Sequence, residues 1–472
     1  MNICQRLRSM ALFVTSTQQM IRLSASFSPT LRPASISRFH STTEQSASKH
    51  EMNPIIIGGG ISGLATAVAL QNICKITSFK VLEKSSKESF AKDDGIGAGV
   101  QLGANGLRAL RAIGGEELMQ KVINAGAKLE GNAMIIPGMD EPMLMPDNAE
   151  KDSGMPQIFV RWSVLRSILR DMIPEENIVT NSGGNVSGYQ LTDNGCVELI
   201  DQSGCVVYPL DGDQPSPHSL IVGADGISSL CRYLVKSNLK IVPSDEFKTA
   251  RTKDVKDTGR INIKAVVPKE LGSSFKAGYT YAYFAANGGI GCFAGPAGAG
   301  HTYWAISIAD EKDEETEETS KFLANVTDLD EAKSALLSKL SSLQSADCQF
   351  AIDMIQITSP ETIFITRSKE AYEIGPHLAS ADGKIVLVGD AAHAMSGSYG
   401  QNPSFGLEGA AELAISIRDS DCNQLALERY SEHRVGRCIE MQKRSRERAE
   451  KAMKGEKDLE DVSTWIQQWD IN

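Results

Sequence analysis

The chain has 472 residues, enough for two or three domains with sizeable cores, and its 41% hydrophobic and 23% charged content is globular. Basic residues number 48 against 59 acidic, a net charge of −11, and beyond position 50 the balance is 42 against 58. Such an acidic body argues against nucleic acid or an anionic membrane as partner. The nine cysteines are odd in number and form no CxxC pair, which reads as reduced thiols without structural zinc.

Residues 1–50 stand apart. Positions 1–43 hold five arginines, many Ser, Thr and Ala, and no acid. This is the composition of an organelle transit peptide, with the mitochondrion as the expected destination and the plastid as the alternative. A disordered leader is the plainer reading. No apolar run reaches the roughly 18 residues of a membrane span, so no transmembrane anchor is expected.

The chain then opens on Pro54-Ile55-Ile56-Ile57, a buried strand, followed by glycines at 58, 60 and 63 and an apolar helical pattern from Ile61 and Ser62 onward. Gly58 suits a tight turn, Gly60 removes a side chain where a pyrophosphate approaches, and Gly63 lets the helix lie close to the sheet. A second strand, Phe79 to Leu82, ends at Glu83-Lys84. A carboxylate 20 residues after Gly63 can take the hydroxyls of an adenosine ribose, which favours FAD or NAD over NADP.

Next comes Gly95 to Asn105, a glycine-rich stretch containing Gly97, Gly99 and Gln101, with Asn105 as a candidate cap for a helix over 106–113. Arg161 opens a helix whose stripe is Val164, Leu165, Ile168 and Leu169. A cation there is unfavourable for the helix dipole, so Arg161 either reaches an anionic ligand or lies on the surface. Leu220-Ile221-Val222 is another buried strand and runs into Gly223-Ala224-Asp225-Gly226. Residues 236–370 are rich in Val, Ile, Tyr and Phe, which reads as a mainly antiparallel sheet, with a charged run at 310–318. Ile385 to Val388 is a last buried strand, ending in Gly389-Asp390-Ala391-Ala392-His393. A helix over 406–417 and a long charged helical region over 423–458 follow.

Three segments therefore share one form, a buried strand leading into a small-residue turn with an acid or a phosphate cradle. In this order they resemble the single-component FAD-dependent aromatic hydroxylases of the para-hydroxybenzoate hydroxylase type. The pattern is salicylate hydroxylase-like, with kynurenine 3-monooxygenase and zeaxanthin epoxidase as cousins. The resemblance covers about residues 53–447. It implies an α/β fold: a Rossmann-like, glutathione-reductase-type FAD-binding domain with an inserted, mainly antiparallel substrate domain and a C-terminal helical region. The expected boundaries are a leader at 1–50, the first part of the FAD domain at 51–235, the substrate domain at 236–370, a completing segment at 371–422 and the helical region at 423–472.

By the same resemblance, FAD contacts are expected at Gly58, Gly60, Ile61, Ser62, Gly63, Glu83, Lys84, Gly99, Gln101 and Arg161. They are also expected at Asp225, Gly226, Gly389, Asp390, Ala391, Gly400, Gln401 and Asn402. The implied reaction uses NADH or NADPH as transient reductant and O₂ as co-substrate, and inserts one oxygen atom through a flavin C4a-hydroperoxide. Hydroxylation of an aromatic ring is the leading form, and epoxidation of an isoprenoid is the alternative. The family pattern GDAAHPMxPxxGQGxNxxxED is broken here at Gly397, Asn402-Pro403 and Gly409, which leaves a non-hydroxylating flavin oxidoreductase open.

For the substrate, Tyr281, Tyr283, His301 and Trp304 are pocket candidates; the plain alternative for each is packing on an amphipathic strand. The histidines show no ligand spacing, so no metal is expected. The oligomeric state, monomer or homodimer, stays open.

Overall fold

The computed structural model describes residues 52–91, 99–136, 139–207, 218–270, 275–285, 289–309, 328–342, 349–396, 400–453 and 463–470. The leader, Gly97, Gly397 and the 310–318 run lie outside the described residues.

The longer elements begin with β1 Pro54–Ile57, α1 Ile61–Ile73, β2 Lys80–Leu82, β3 Gly99–Leu102, α2 Ala104–Ala125, β4 Ala127–Lys128, β5 Gly131–Ile135, β6 Met143–Pro146 and β7 Ile158–Arg161. They continue with α3 Trp162–Arg170, β8 Ile178–Val179, β9 Gly188–Leu191, β10 Val197–Ile200, β11 Leu220–Gly223, α4 Leu230–Ser237 and β12 Val255–Val267. The rest are β13 Tyr279–Phe284, β14 Ile290–Pro296, β15 Thr302–Ala309, α5 Leu329–Ser342, α6 Gln349–Ile357, β16 Phe364–Ala371, β17 Ile385–Leu387, α7 Asn402–Arg418 and α8 Asn423–Met453.

A parallel sheet in the order β17-β11-β1-β2-β8 forms the first layer. Its strands are short runs of Ile, Leu and Val buried on both faces, as parallel strands require. Helix α1 is buried on nearly every side because it packs against both α2 and α7, and its Ala-rich sequence permits the close approach.

The second layer is a sheet in the order β16-β12-β15-β14-β13-β5-β6. It is antiparallel except for the β13–β5 pair. The sequence division placed 131–146 with the first segment, yet β5 and β6 extend this sheet. Strict alternation decides its faces. Ile261, Ile263, Ala265 and Val267 of β12 and Trp304, Ile306 and Ile308 of β15 point to one side, where Leu336 and Leu340 of α5 and Met354 and Ile355 of α6 close a core. The other side carries Asn262, Lys264, Tyr303, Ala305 and Ser307, all half-buried.

The C-terminal helix α8 is anchored by charge. Arg434 and Arg437 bind the fully buried Glu408 of α7 at 2.6 and 2.8 Å, and Asn105 of α2 donates to the same carboxylate at 2.7 Å. Burial alone would raise the Glu408 pKa, but the two guanidiniums outweigh it and hold the carboxyl below its usual range. Asn105 is therefore a buried clamp inside the first turn of α2, where the sequence suggested a cap.

Candidate active site

Strands β17, β11 and β1 are adjacent and parallel, so the turns that follow them emerge at one edge of the sheet. Ligands of doubly wound sheets bind at this edge. Contacts between the turns tie them together. Gly58 has φ +115°, and a Cβ there would lie 2.3 Å from the Ala224 carbonyl oxygen, so only glycine fits the junction of the first two turns. A Cβ on Gly63 would lie 2.0 Å from the Gly58 oxygen. By contrast, a Cβ on Gly60 would meet nothing within 4 Å. Gly60 is also the N-cap of α1 and brings no side-chain cap to its first amides. Ile61 is buried and offers only its backbone there.

The third turn closes on the first through Ser62. Cβ atoms on Gly389 or Gly406 would approach its hydroxyl to 2.1 and 2.3 Å. Arg232 joins the third turn to the second, with Nη1 donating to the Asp390 and Ala391 carbonyls at 3.2 and 3.1 Å. Gln101 of β3 packs against Gly400, and Gln401 accepts from Asn105 at 3.0 Å.

Side-chain chemistry converges on this edge. Glu83 accepts from the Gly59 amide at 3.0 Å, from the Ser85 amide at 2.8 Å and from the Ser85 hydroxyl at 2.5 Å, which leaves about one lone pair of the carboxylate for a ligand hydroxyl. The Nε of Arg161 is buried without a hydrogen-bond partner. Asp390 is accessible to water yet surrounded by protein, as on the wall of a cleft. Its carboxylate makes no hydrogen bond among the described residues. Burial raises its pKa, while Arg232 and Lys264 pull it down. Lys264 reaches toward it from β12, and burial lowers the pKa of that ammonium.

Some expected residues take other roles. The Asp225 carboxylate is occupied by the Ser229 hydroxyl at 2.5 Å and by the Leu230 and Cys231 amides at 2.7 and 3.2 Å. It caps α4, and Gly226 is the open position of that turn. Gly99 makes room for a ring of the protein itself: a Cβ there would overlap Phe159. Lys84 is exposed beside Glu83.

The aromatic candidates are corrected by strand facing. Tyr281, Tyr283 and Trp304 belong to the helix-covered core, and Trp304 Nε1 donates to Thr358 Oγ1 at 2.9 Å. His301 sits in the β14–β15 turn, its Nδ1 2.8 Å from the Ala299 carbonyl oxygen. The cleft side instead presents Lys264, Phe293 and Tyr303. Phe293 and Tyr303 stack with Phe159 at ring distances of 6.0 and 5.1 Å. The Tyr303 phenol makes no hydrogen bond among the described residues, and burial raises its pKa. The period-two pattern of Trp304, Ile306 and Ile308 was the signal that would have placed Tyr303 on the opposite side.

No family model matches the chain. It is 27% identical over 392 residues to the aurachin C monooxygenase/isomerase of Stigmatella aurantiaca, covering 82% of this chain and 86% of that one. Over most of its length the chain is thus similar to FAD-dependent monooxygenases. It is also 24% identical over 377 residues to the chloroplastic zeaxanthin epoxidase of Oryza sativa subsp. japonica, covering 78% of this chain but about half (49%) of that one. Among solved structures, HpxO of Klebsiella pneumoniae complexed with FAD and uric acid shares the fold. The TM-score is 0.67 at 20% identity, over 90% of this chain and 94% of that one.

The residues present fit FAD. The open position at Gly60, the α1 amides without a side-chain cap, the Arg161 Nε and the Asp390 carboxylate have no hydrogen-bond partner among the described residues. The departures at Asn402, Pro403 and Gly409 are accommodated locally. Asn402 Nδ2 donates to the Met395 carbonyl at 2.7 Å, and Pro403 falls in the first turn of α7, where no donor is needed. Gly409 sits 3.3 Å, at its Cβ position, from the Tyr430 hydroxyl.

Proposed function

We propose that this enzyme uses NADH or NADPH, FAD and O₂ to insert one oxygen atom into an aromatic or other electron-rich ring. The observation that carries the reading is the meeting of three strand-to-turn segments at one sheet edge, where the Gly60 Cβ position faces open space and the Asp390 carboxylate makes no hydrogen bond among the described residues. Bound FAD supplies the redox chemistry and the activation of O₂.

The chain's own residues bind and position. The Gly58–Gly63 turn and the first amides of α1 hold the pyrophosphate. Glu83 takes the adenosine ribose, Arg161 donates to the anionic part of the cofactor, and Asp390 accepts from the ribityl hydroxyls. Phe159, Phe293 and Tyr303 form an aromatic wall that excludes water, and Lys264 supplies a cation for an acidic ring substituent. Residues 236–370, with β5 and β6, form the substrate side.

Epoxidation of an isoprenoid double bond is the second reading, supported by the zeaxanthin epoxidase relatives. Import into the mitochondrion is proposed from the acid-free, arginine-bearing leader, with the plastid as alternative.

The test is turnover of the purified full chain under ¹⁸O₂ with NADH and NADPH against aromatic acids, phenols and terpenoids. The expected result is one labelled oxygen per product for one ligand class, with little peroxide. Peroxide accounting for all the O₂ consumed with every ligand would make the protein a flavin oxidase.

A further inference from the structure

The cleft side of the seven-stranded sheet has two chemically different ends joined by one row of side chains. Lys264 pairs with Ala305, Ala305 with Phe293, Phe293 with Ala282, Ala282 with Met134, and Met134 with Met143. Partners directly opposite on neighbouring strands share a face, so these positions form a line from β12 to β6. At about 4.8 Å per strand the line runs roughly 24 Å. Among the described residues no helix core closes over it: the first five positions are half-buried, whereas their sequence neighbours Ile263, Trp304, Cys292, Tyr281 and Ala133 are fully buried on the other face.

One end is cationic. The Lys264 ammonium lies 5.3 Å from the Phe364 ring centroid and has no hydrogen bond or ion pair among the described residues, although Asp390 acts on it through space. A half-buried cation without a contact partner is a place for an anionic group. The other end is apolar and open. Met143 and Met145 of β6 and Phe284 of β13 lie on this face and are 40%, 37% and 55% exposed. The small Ala305 and Ala282 keep the middle of the line shallow. Exposed apolar surface continuous with a cleft marks a binding surface, and flexible thioethers suit a chain of variable shape.

We propose that the substrate is an amphiphile: an aromatic ring with an acidic hydroxyl or carboxyl at Lys264, and an alkyl or isoprenoid tail laid along Phe293, Ala282, Met134 and Met143. A lone ring covers only the cationic end and leaves the methionines in water. The inference takes the identity of the cleft from the monooxygenase reading, but the recognition it describes is a property of the sheet.

The experiment is equilibrium dialysis of the purified full chain against 6-methyl-, 6-pentyl- and 6-nonylsalicylate below their micelle concentrations. Full burial gives about a fourfold gain per methylene, so a half-open groove should give roughly twofold. The double variant Met134→Gln/Met143→Gln should flatten the dependence on chain length while holding the methyl compound within twofold of wild type. Lys264→Met should weaken all three ligands at least tenfold and keep the chain-length slope. Equal affinity of wild type for the methyl and nonyl compounds would overturn the proposal, as would a slope that survives the double variant. The FAD content of the same samples reports separately: a chain-length slope in colourless protein would sustain this inference and sink the monooxygenase reading.

Discussion

Arg161 carries a buried Nε without a hydrogen-bond acceptor among the described residues, at the junction of β7 and α3. Its cation opens a helix, where the dipole disfavours it, which is the reason to test it as a ligand contact. A hydrogen bond from a charged donor contributes about 1.5–3 kcal/mol, so Arg161→Met should weaken FAD binding roughly 10- to 100-fold. Titration of the apoprotein followed by flavin fluorescence would show it, and an unchanged Kd would remove Arg161 from the site. His393 gives a pH prediction. It is fully buried, neither ring nitrogen has a hydrogen-bond partner among the described residues, and burial with the nearby Arg434 lowers its pKa to about 3. The unfolded chain protonates this residue near pH 6.5, so below that pH the unfolded state binds a proton that the native state does not. Stability should fall from pH 6.5 toward 3, with His393 contributing up to about 1.4 kcal/mol per pH unit. Urea unfolding of His393→Phe between pH 7 and 4.5 should give a shallower decline than wild type; parallel curves would clear His393. At this scale the tight turn at Gly58 and Gly63 was legible because its reason is local. Lys264 and Tyr303 were missed because strand facing was not read, although the alternation around Ile261, Ile263, Trp304 and Ile306 contained it.

Helices α2, α7 and α8 meet at one carboxylate. Glu408 receives Asn105, Arg434 and Arg437, while Asn105 also holds Gln401 at the head of α7. The C-terminal helix thereby braces the turn beside the cofactor edge. Removing one partner of a buried pair leaves the other charge uncompensated, at about 3–5 kcal/mol. Glu408→Gln should lower the urea midpoint accordingly, and a midpoint within error of wild type would show that the network contributes little. The helices themselves were legible from their apolar spacing, and α8 was expected as a charged surface helix. That it buries Arg434 and Tyr430 against α7 was not legible, since a buried arginine looks like any other charge in a sequence. The same limit applies to β5 and β6. The pairing of β5 with β13, which carries β6 with it as the edge strand, joins segments far apart in the chain, and such long-range pairing leaves no local periodic trace.

For the whole molecule, the strand order β17-β11-β1 turns three distant sequence segments into one ligand edge, and the seven-stranded sheet presents its uncovered face toward it. Gly58 and Gly60 separate fold from function within that edge. The first is fixed by a carbonyl 2.3 Å from its absent Cβ, and the second faces open space. The most direct measurement is therefore the FAD released per chain from purified wild type and Gly60→Val, with circular dichroism and Tm recorded on both. About one FAD per wild-type chain, and a loss of most of it in the variant at unchanged fold and Tm, is the predicted result. Equal FAD content in the two proteins, or a wild type that takes up no FAD on reconstitution, would contradict the assignment of this edge as the cofactor site.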